Sequence, residues 1–171
     1  MTLSVIFMES FAGFHTGATF TPTAQELAGK WNALPTACGT NYGRNGGYGT
    51  RLATSALLKT FATPLTIIGV GMAVRVTTGA GSGTDFQLAC DKSPGPQILK
   101  ISRSGVNGSL TAVASGGGTL GTTAAGVLPV DGLWHHLEMQ AKASQTAGTL
   151  DIWIDGVSVL SLTGLNLGGV P

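Results

Sequence analysis

The segment from Leu150 to Leu162 constrains the fold most strongly, because two alternating apolar and polar runs are joined there by Asp155-Gly156. Alternation with a period of two is typical of a half-buried β-strand. Asp-Gly favours the positive φ angles of a type I′ turn. The sequence therefore predicts a tight β-hairpin. The two-residue turn predicts three cross-strand pairs: Ile154 with Val157, Ile152 with Val159, and Trp153 with Ser158.

The rest of the chain also favours short strands. It contains 27 glycines, and its apolar runs are short and rich in Val, Ile, Leu, Thr and Phe, which is typical of strands joined by Gly-rich turns. Residues 66–77 are apolar on both faces, which predicts a central strand covered on both sides. Residues 23–29 favour a short helix, and the Gly/Thr/Ala-rich residues 115–126 favour a mobile loop. The other predicted strands are residues 4–11, 47–53, 55–60, 85–90, 97–102, 110–114 and 134–143.

Charged residues are scarce, at 10% of the chain against about 25% in an average soluble domain. Because the cores of protein interfaces are depleted of charge, this deficit predicts assembly with other subunits, including copies of the same chain. The scattered basic residues and the net charge of +1 argue against a nucleic-acid partner. No apolar run reaches the roughly 20 residues of a membrane span, and residues 1–11 lack the basic start of a signal peptide. The spacing of Cys38 and Cys90 requires no disulfide, so two thiols are favoured.

Three sequence motifs together resemble a known family of β-proteins. Val130-Asp-Gly-Leu-Trp-His-His-Leu-Glu-Met139 precedes the Asp155-Gly156 hairpin, and residues 43–52 read Gly-Arg-Asn-Gly-Gly-Tyr-Gly-Thr-Arg-Leu. This combination resembles concanavalin A-like domains, the laminin G-like domains among them, with Glu9-Ser-Phe11 similar to their opening strand. Trp134, His135, Asp155 and Gly156 carry the structural signature. The resemblance implies an all-β, two-sheet antiparallel jelly-roll β-sandwich formed as one domain over residues 1–171.

The resemblance also implies a role. Single domains of this kind that are rich in Gly, Ala and Thr and poor in charge resemble those of tailed-bacteriophage virions. The implied function is a non-enzymatic structural component, a capsid decoration protein on the head surface or a tail or fibre part, bound to other virion proteins and assembled in the host cytoplasm. Related domains commonly finish with a strand beside the first one, whereas this chain stops after residues 165–171. Either the rest of the protein is absent from this sequence, or the first strand, at residues 4–11, keeps an open edge that a neighbouring strand would fill.

The sequence contains little evidence for catalytic or metal-binding residues. Retaining glycoside hydrolysis needs two carboxyl groups about 5 Å apart, but the Glu-x-Asp-x-x-Glu motif of related glucanases is absent, and about 13 Å of strand separates Asp151 from Asp155. His135 and His136 point to opposite faces of a strand, so they do not share a metal ion. His135 is expected to point inward and to hydrogen-bond the backbone beside the core. No enzyme, metal site or cofactor is predicted, although calcium, which relatives hold at the sandwich rim, stays a minor alternative.

Glycan binding is the main functional alternative. A sugar site combines an aromatic platform with polar groups on loops, and the segment around residues 41–48 has this content. The alternative explanation is that its glycines serve a tight entry into the next strand. Trp153, on the outer face of the predicted hairpin, offers a second aromatic platform, although a contact between subunits or between sheets explains this residue equally well. The candidate glycan-binding residues are Asn41, Tyr42, Arg44, Asn45 and Trp153.

Overall fold

The computed structural model describes residues 37–39, 49–51, 65–77, 81, 84–91, 97–114 and 116–168. The chain divides into two compact units, Met1–Ala62 and Thr63–Pro171. In the first unit, strand β1 (Ala37–Gly39) pairs antiparallel with β2 (Gly49–Arg51). Strand β2 lies inside the predicted strand at residues 47–53, whereas β1 was not predicted. The predicted strands at residues 4–11 and 55–60, the open edge and the predicted helix at residues 23–29 lie outside the described residues.

The second unit contains two antiparallel four-stranded sheets. The hairpin sheet consists of β3 (Ile67–Arg75), β8 (Trp134–Lys142), β9 (Gly148–Ile154) and β10 (Val157–Leu165), in the order β10-β9-β8-β3. The facing sheet consists of β4 (Thr84–Asp91), β5 (Gln97–Ser104), β6 (Leu110–Ala114) and β7 (Thr119–Thr122), in the order β4-β5-β6-β7. The predicted all-β antiparallel fold class is confirmed for these residues. The predicted pairing of the Trp134 strand with the hairpin is also confirmed, since β8 pairs with β9.

Both sheets contribute to one hydrophobic core. Each buried Leu or Ile side chain contributes about 1.5–3 kcal/mol through removal of apolar surface from water. Half-buried Cys90, on β4, packs against this core. The core members alternate along their strands with outward-facing residues, as the period of a β-strand requires. They are Leu137, Met139 and Ala141 on β8, Leu150, Ile152 and Ile154 on β9, Leu99 and Ile101 on β5, Leu110 and Ala112 on β6, and Leu128 and Leu167 outside the strands.

The hairpin is confirmed in its turn, but its pairing departs from the prediction after two residues. Asp155 has a φ of 52° and Gly156 a φ of 79°, as a type I′ turn requires. The pairs of Ile154 with Val157 and Trp153 with Ser158 are present. The predicted pair of Ile152 with Val159 is wrong, because a register shift between Ser158 and Leu160 places Leu160 opposite Ile152. This irregularity admits one extra residue, as a β-bulge does.

The Gly/Thr/Ala-rich segment is not simply a loop. Residues 119–122 form β7, which pairs with β6, so the predicted mobile loop is wrong there. The small residues have a packing role. A Cβ added to Gly121 would lie 3.1 Å from Cδ1 of Leu162 and 3.4 Å from Cδ1 of Leu160. The absence of a side chain at Gly121 therefore lets the two leucines of β10 approach β7.

Among the described residues, strand β3 is covered on one face only. Its inward side chains pack against the core, whereas its outward residues are exposed, and it is the end strand of the hairpin sheet as described. The predicted central strand covered on both sides is wrong, because the outward positions Gly69, Gly71 and Ala73 look apolar in sequence but carry little side chain to bury. In the ranges that the structure describes, no helix is long and apolar enough to cross a membrane.

Candidate functional site

A cluster of polar side chains in the second unit is centred on His135. Strand β8 points Leu137, Met139 and Ala141 into the core, and His135 continues the same inward row at the start of the strand. Its neighbour across the sheet is Val74 of β3. Only 15% of the His135 side chain is exposed. The predicted inward orientation of His135 is thus confirmed.

Asp155 reaches this histidine from the β9–β10 turn. One carboxylate oxygen, Oδ1, accepts a hydrogen bond from the backbone N–H of His136 at 2.7 Å. The other, Oδ2, lies 2.8 Å from Nδ1 of His135. Asp155 also donates its own backbone N–H to the carbonyl of His136 at 2.8 Å. The turn residue therefore fastens the hairpin to β8 as well as reversing the chain.

Asp131 reaches the other side of the imidazole from the loop before β8. Its Oδ1 and Oδ2 lie 3.3 Å and 3.2 Å from Nε2 of His135. The carboxylate also accepts the backbone N–H of Leu133 at 2.8 Å. Gly132, with a φ of 71°, makes the bend between them, and its N–H donates to the carbonyl of Val76 at 3.2 Å. We call Asp131, His135 and Asp155 the Asp-His-Asp brace.

The expected backbone partner of His135 is wrong: both ring nitrogens contact carboxylates. The sequence prediction missed Asp131 altogether. The signal that identifies it is Asp131-Gly132, a second Asp-Gly turn placed four residues before His135. An aspartate in such a turn bonds to the backbone two residues on, which holds its carboxylate near the start of the following strand.

The brace shifts the ionisation of all three members. The hydrogen bond to Asp155, and then that to Asp131, raise the pKa of His135 above 6.5, although partial burial opposes the shift. The pKa of Asp155 is lowered from 3.8, first by the N–H of His136 and then by His135. The pKa of Asp131 is lowered from 3.8, first by the N–H of Leu133 and, more weakly, by His135. Each shift favours an imidazolium held between two carboxylates.

This arrangement is suited to holding chain segments together. A general base needs a ring nitrogen directed at its substrate, but both nitrogens of His135 already face carboxylate oxygens of the protein. Asp131 lies in a loop and Asp155 in a turn, so the brace joins two connections to the start of β8. Among the described residues, no group of three or more His, Cys, Asp and Glu side chains is arranged to hold a metal ion.

The outer face of the hairpin sheet carries a second group of polar and aromatic side chains. Trp153 is partly exposed, and its cross-strand neighbours are Glu138 and Ser158. Glu138 lies 3.0 Å from His136, joined through Oε1 and Nδ1. One row further along the sheet, the hydroxyl of Ser161 donates to Asp151 at 2.6 Å.

Aromatic and charged groups also meet at the end of this face. The guanidinium of Arg75 lies 5.1 Å from the ring centroid of Trp134, within the range of a cation–π contact. Of the predicted glycan-binding residues, only Trp153 is described. Asn41, Tyr42, Arg44 and Asn45 lie outside the described residues.

Comparisons of this chain with family models, with curated proteins and with solved structures gave no match.

Proposed function

We propose that this chain is a non-catalytic, concanavalin A-like jelly-roll domain that serves as a structural component of a bacteriophage virion. Within that role, its place is on the head surface as a decoration protein, or in a tail or fibre. It binds neighbouring virion subunits and further copies of itself. Its location is the virion, assembled in the host cytoplasm.

The observation that carries this proposal is a group of exposed apolar side chains around the brace. Val130 and Leu133 flank Asp131 and are 45% and 62% exposed, and Val157 follows the Asp155 turn and is 65% exposed. Because Asp131 and Asp155 both contact His135, these residues lie at the same end of the hairpin sheet. We call Val130, Leu133 and Val157 the apolar end.

Exposed apolar groups of this kind mark contacts with other proteins when they are contiguous. The chain has only 10% charged residues, and interface cores are depleted of charge. A structural subunit uses such a surface through shape and buried apolar area, which requires no reacting group. The occupation of both nitrogens of His135 within the brace is consistent with this role.

The test is incorporation into particles. Particles would be assembled with the wild-type chain, with Leu133→Asp and Val157→Asp combined, and with the control Thr163→Asp, which places a carboxylate on an exposed residue of β10 remote from its turn. Quantitative mass spectrometry of the purified particles would measure copies per particle. We expect stoichiometric incorporation for the wild type and the control, and a loss of at least about tenfold for the double variant.

Absence of the wild-type chain from purified particles would contradict the virion assignment. Full incorporation of the correctly folded double variant would contradict the apolar end as the contact surface. Circular dichroism of the isolated variants separates misfolding from lost contact, and native mass spectrometry of the isolated wild type tests for homo-oligomers.

A second candidate function is glycan binding for attachment to a host surface, favoured by Trp153 on the outer face. A partly exposed indole beside Glu138 and Ser158 combines an apolar platform with hydrogen-bonding groups, as sugar recognition requires. A glycan array with the whole chain tests this candidate. We expect binding to be lost in Trp153→Ala and largely kept in Trp153→Phe, and no binding by the wild type would rule the candidate out.

A further inference from the structure

We propose that the Asp-His-Asp brace is a proton-controlled latch. In the closed state, the imidazolium of His135 holds the loop at residues 130–133 against β8, and loss of one proton from the ring releases that loop. The inference rests on the contacts of the brace and holds whichever proposed function is correct.

The number of protons in the brace follows from its contacts. Nδ1 of His135 lies 2.8 Å from Asp155, and Nε2 lies 3.2 Å from Asp131. A carboxylate only accepts hydrogen bonds, and a neutral imidazole has one N–H and one lone pair. Both contacts are therefore hydrogen bonds only when the ring carries two protons. In the neutral ring, one nitrogen lone pair would face a carboxylate oxygen without a proton between them.

The contact to Asp131 is the one that opens. Asp155 is the closer partner, at 2.8 Å, and its second oxygen is held by the N–H of His136. Asp131 lies 3.2–3.3 Å from the ring. A neutral His135 is thus expected to keep its proton on Nδ1, facing Asp155, and to present the lone pair of Nε2 to Asp131. Repulsion between that lone pair and the carboxylate separates the loop from β8.

The other charged groups near the brace have partners of their own, so the protonation of His135 controls the contact with Asp131. On its own strand, His136 and Glu138 point to the opposite face and pair with each other at 3.0 Å. From β3, the facing neighbour is Val74, and the guanidinium of Arg75 lies over Trp134. The facing sheet buries one guanidinium, that of Arg103, which donates to the carbonyls of Leu128 and Ser104 at 2.7 Å and 3.2 Å. Within the brace itself, the charged partners of His135 are the carboxylates of Asp131 and Asp155.

Release of the loop at residues 130–133 changes the exposed surface at the apolar end. The loop carries Val130 and Leu133, two members of the apolar end, and Gly132 supplies the bend. With the Asp131 contact gone, this loop keeps one hydrogen bond, among the described residues, to the segment after β3, from the N–H of Gly132 to the carbonyl of Val76 at 3.2 Å, and that single bond then opens more readily. The latch is closed below the pKa of His135, which the brace raises above 6.5. It opens as the pH rises through that value, and the apolar end is then rearranged.

The test uses NMR of the full ¹⁵N-labelled chain between pH 5 and pH 9. Long-range correlations to the ring nitrogens report the protons on His135, and hydrogen exchange of the Gly132 amide, corrected for its intrinsic pH dependence, reports docking of the loop. We expect both ring nitrogens to be protonated at low pH, with a midpoint above 6.5. The protection of Gly132 should fall with the same midpoint, by about tenfold for each unit by which the closed latch raises the pKa.

Two variants complete the test. Asp131→Asn removes the charge of the loop, and we expect a lower midpoint for His135 and Gly132 protection that no longer depends on pH. The control Asp151→Asn removes an aspartate charge from the opposite face of the sheet, where the carboxylate accepts the hydroxyl of Ser161 at 2.6 Å, and should leave both observations unchanged. A His135 midpoint at or below 6.5 in the wild type, or Gly132 protection that does not follow it, would overturn the latch. If Asp131→Asn does not fold, the His135 midpoint and the Gly132 protection of the wild type still test the latch by themselves.

Discussion

Replacement of Gly148 by alanine is expected to destabilise the protein through a steric clash with the backbone. A Cβ added at Gly148 would lie 2.7 Å from the carbonyl oxygen of Leu165 and 3.1 Å from that of Lys142. These atoms belong to the strands on either side of β9, so neither is a side-chain end that simply rotates away. Gly69, on β3, is the matched control, because a Cβ there would meet no atom within 4 Å.

The magnitude follows from two opposing effects. Overpacking of this kind costs about 1–3 kcal/mol, while alanine in place of glycine in a strand gains about 0.5–1 kcal/mol. Gly148→Ala should therefore lose up to about 2.5 kcal/mol, and Gly69→Ala should be neutral or slightly more stable. Since both variants share the glycine-to-alanine gain, their difference isolates the steric cost. Urea unfolding followed by circular dichroism measures that difference, and equal stability of the two variants would refute the close approach of β10 to β9.

Four further predictions concern the core, a buried hydrogen bond, the turn and pH. Ile152→Ala should lower the free energy of unfolding by about 2–5 kcal/mol, and a loss below 1 kcal/mol in urea unfolding would contradict its full burial. Thr123→Val leaves the buried N–H of Leu110 without the hydroxyl that accepts it at 2.9 Å, which should cost about 1–3 kcal/mol in the same assay. Gly156→Ala, at a φ of 79°, should cost about 1–2 kcal/mol; an unchanged thermal midpoint would argue against the type I′ turn.

The fourth prediction concerns the brace. Because its pKa is raised, His135 contributes stability below pH 6.5 that is lost as the pH rises through the raised value. The two lowered aspartate pKa values contribute stability above pH 3.8 that is lost as the pH falls through them. Unfolding midpoints measured against pH should therefore decline on both sides of this interval in the wild type, and His135→Gln should lose the decline at high pH.

The sequence was most informative where a local rule dominates the structure. Asp155-Gly156 determines its turn through backbone conformation alone, so the turn and the first two cross-strand pairs were predictable. The register beyond them was not, because a shift lies between Ser158 and Leu160, and Leu160 packs close to Gly121 of the facing sheet, a contact that no local rule contains. The consecutive apolar residues Val159 and Leu160, which break the alternation, were the only local sign of it.

Errors arose where small residues were interpreted without their neighbours. Glycine and alanine on β3 looked apolar and therefore buried, yet they are exposed. Residues 119–122 belong to a Gly/Thr/Ala-rich segment that looked too small to pack, yet they form β7, where Gly121 lies against the leucines of β10. In both places, burial depends on what lies opposite in space. The brace shows the same limit, since the inward direction of His135 follows from alternation, whereas its carboxylate partners come from two separate turns.

The most direct test of the central claim, that the hairpin sheet and the facing sheet share one core, is an inter-sheet contact measured in solution. Leu160 and Leu162 of β10 should show nuclear Overhauser effects from their methyl groups to the α-protons of Gly121 on β7. These effects are expected because a Cβ at Gly121 would lie within 3.1–3.4 Å of the leucine methyl carbons. Assigned methyl groups without such effects, in a folded sample, would contradict the packing of the two sheets.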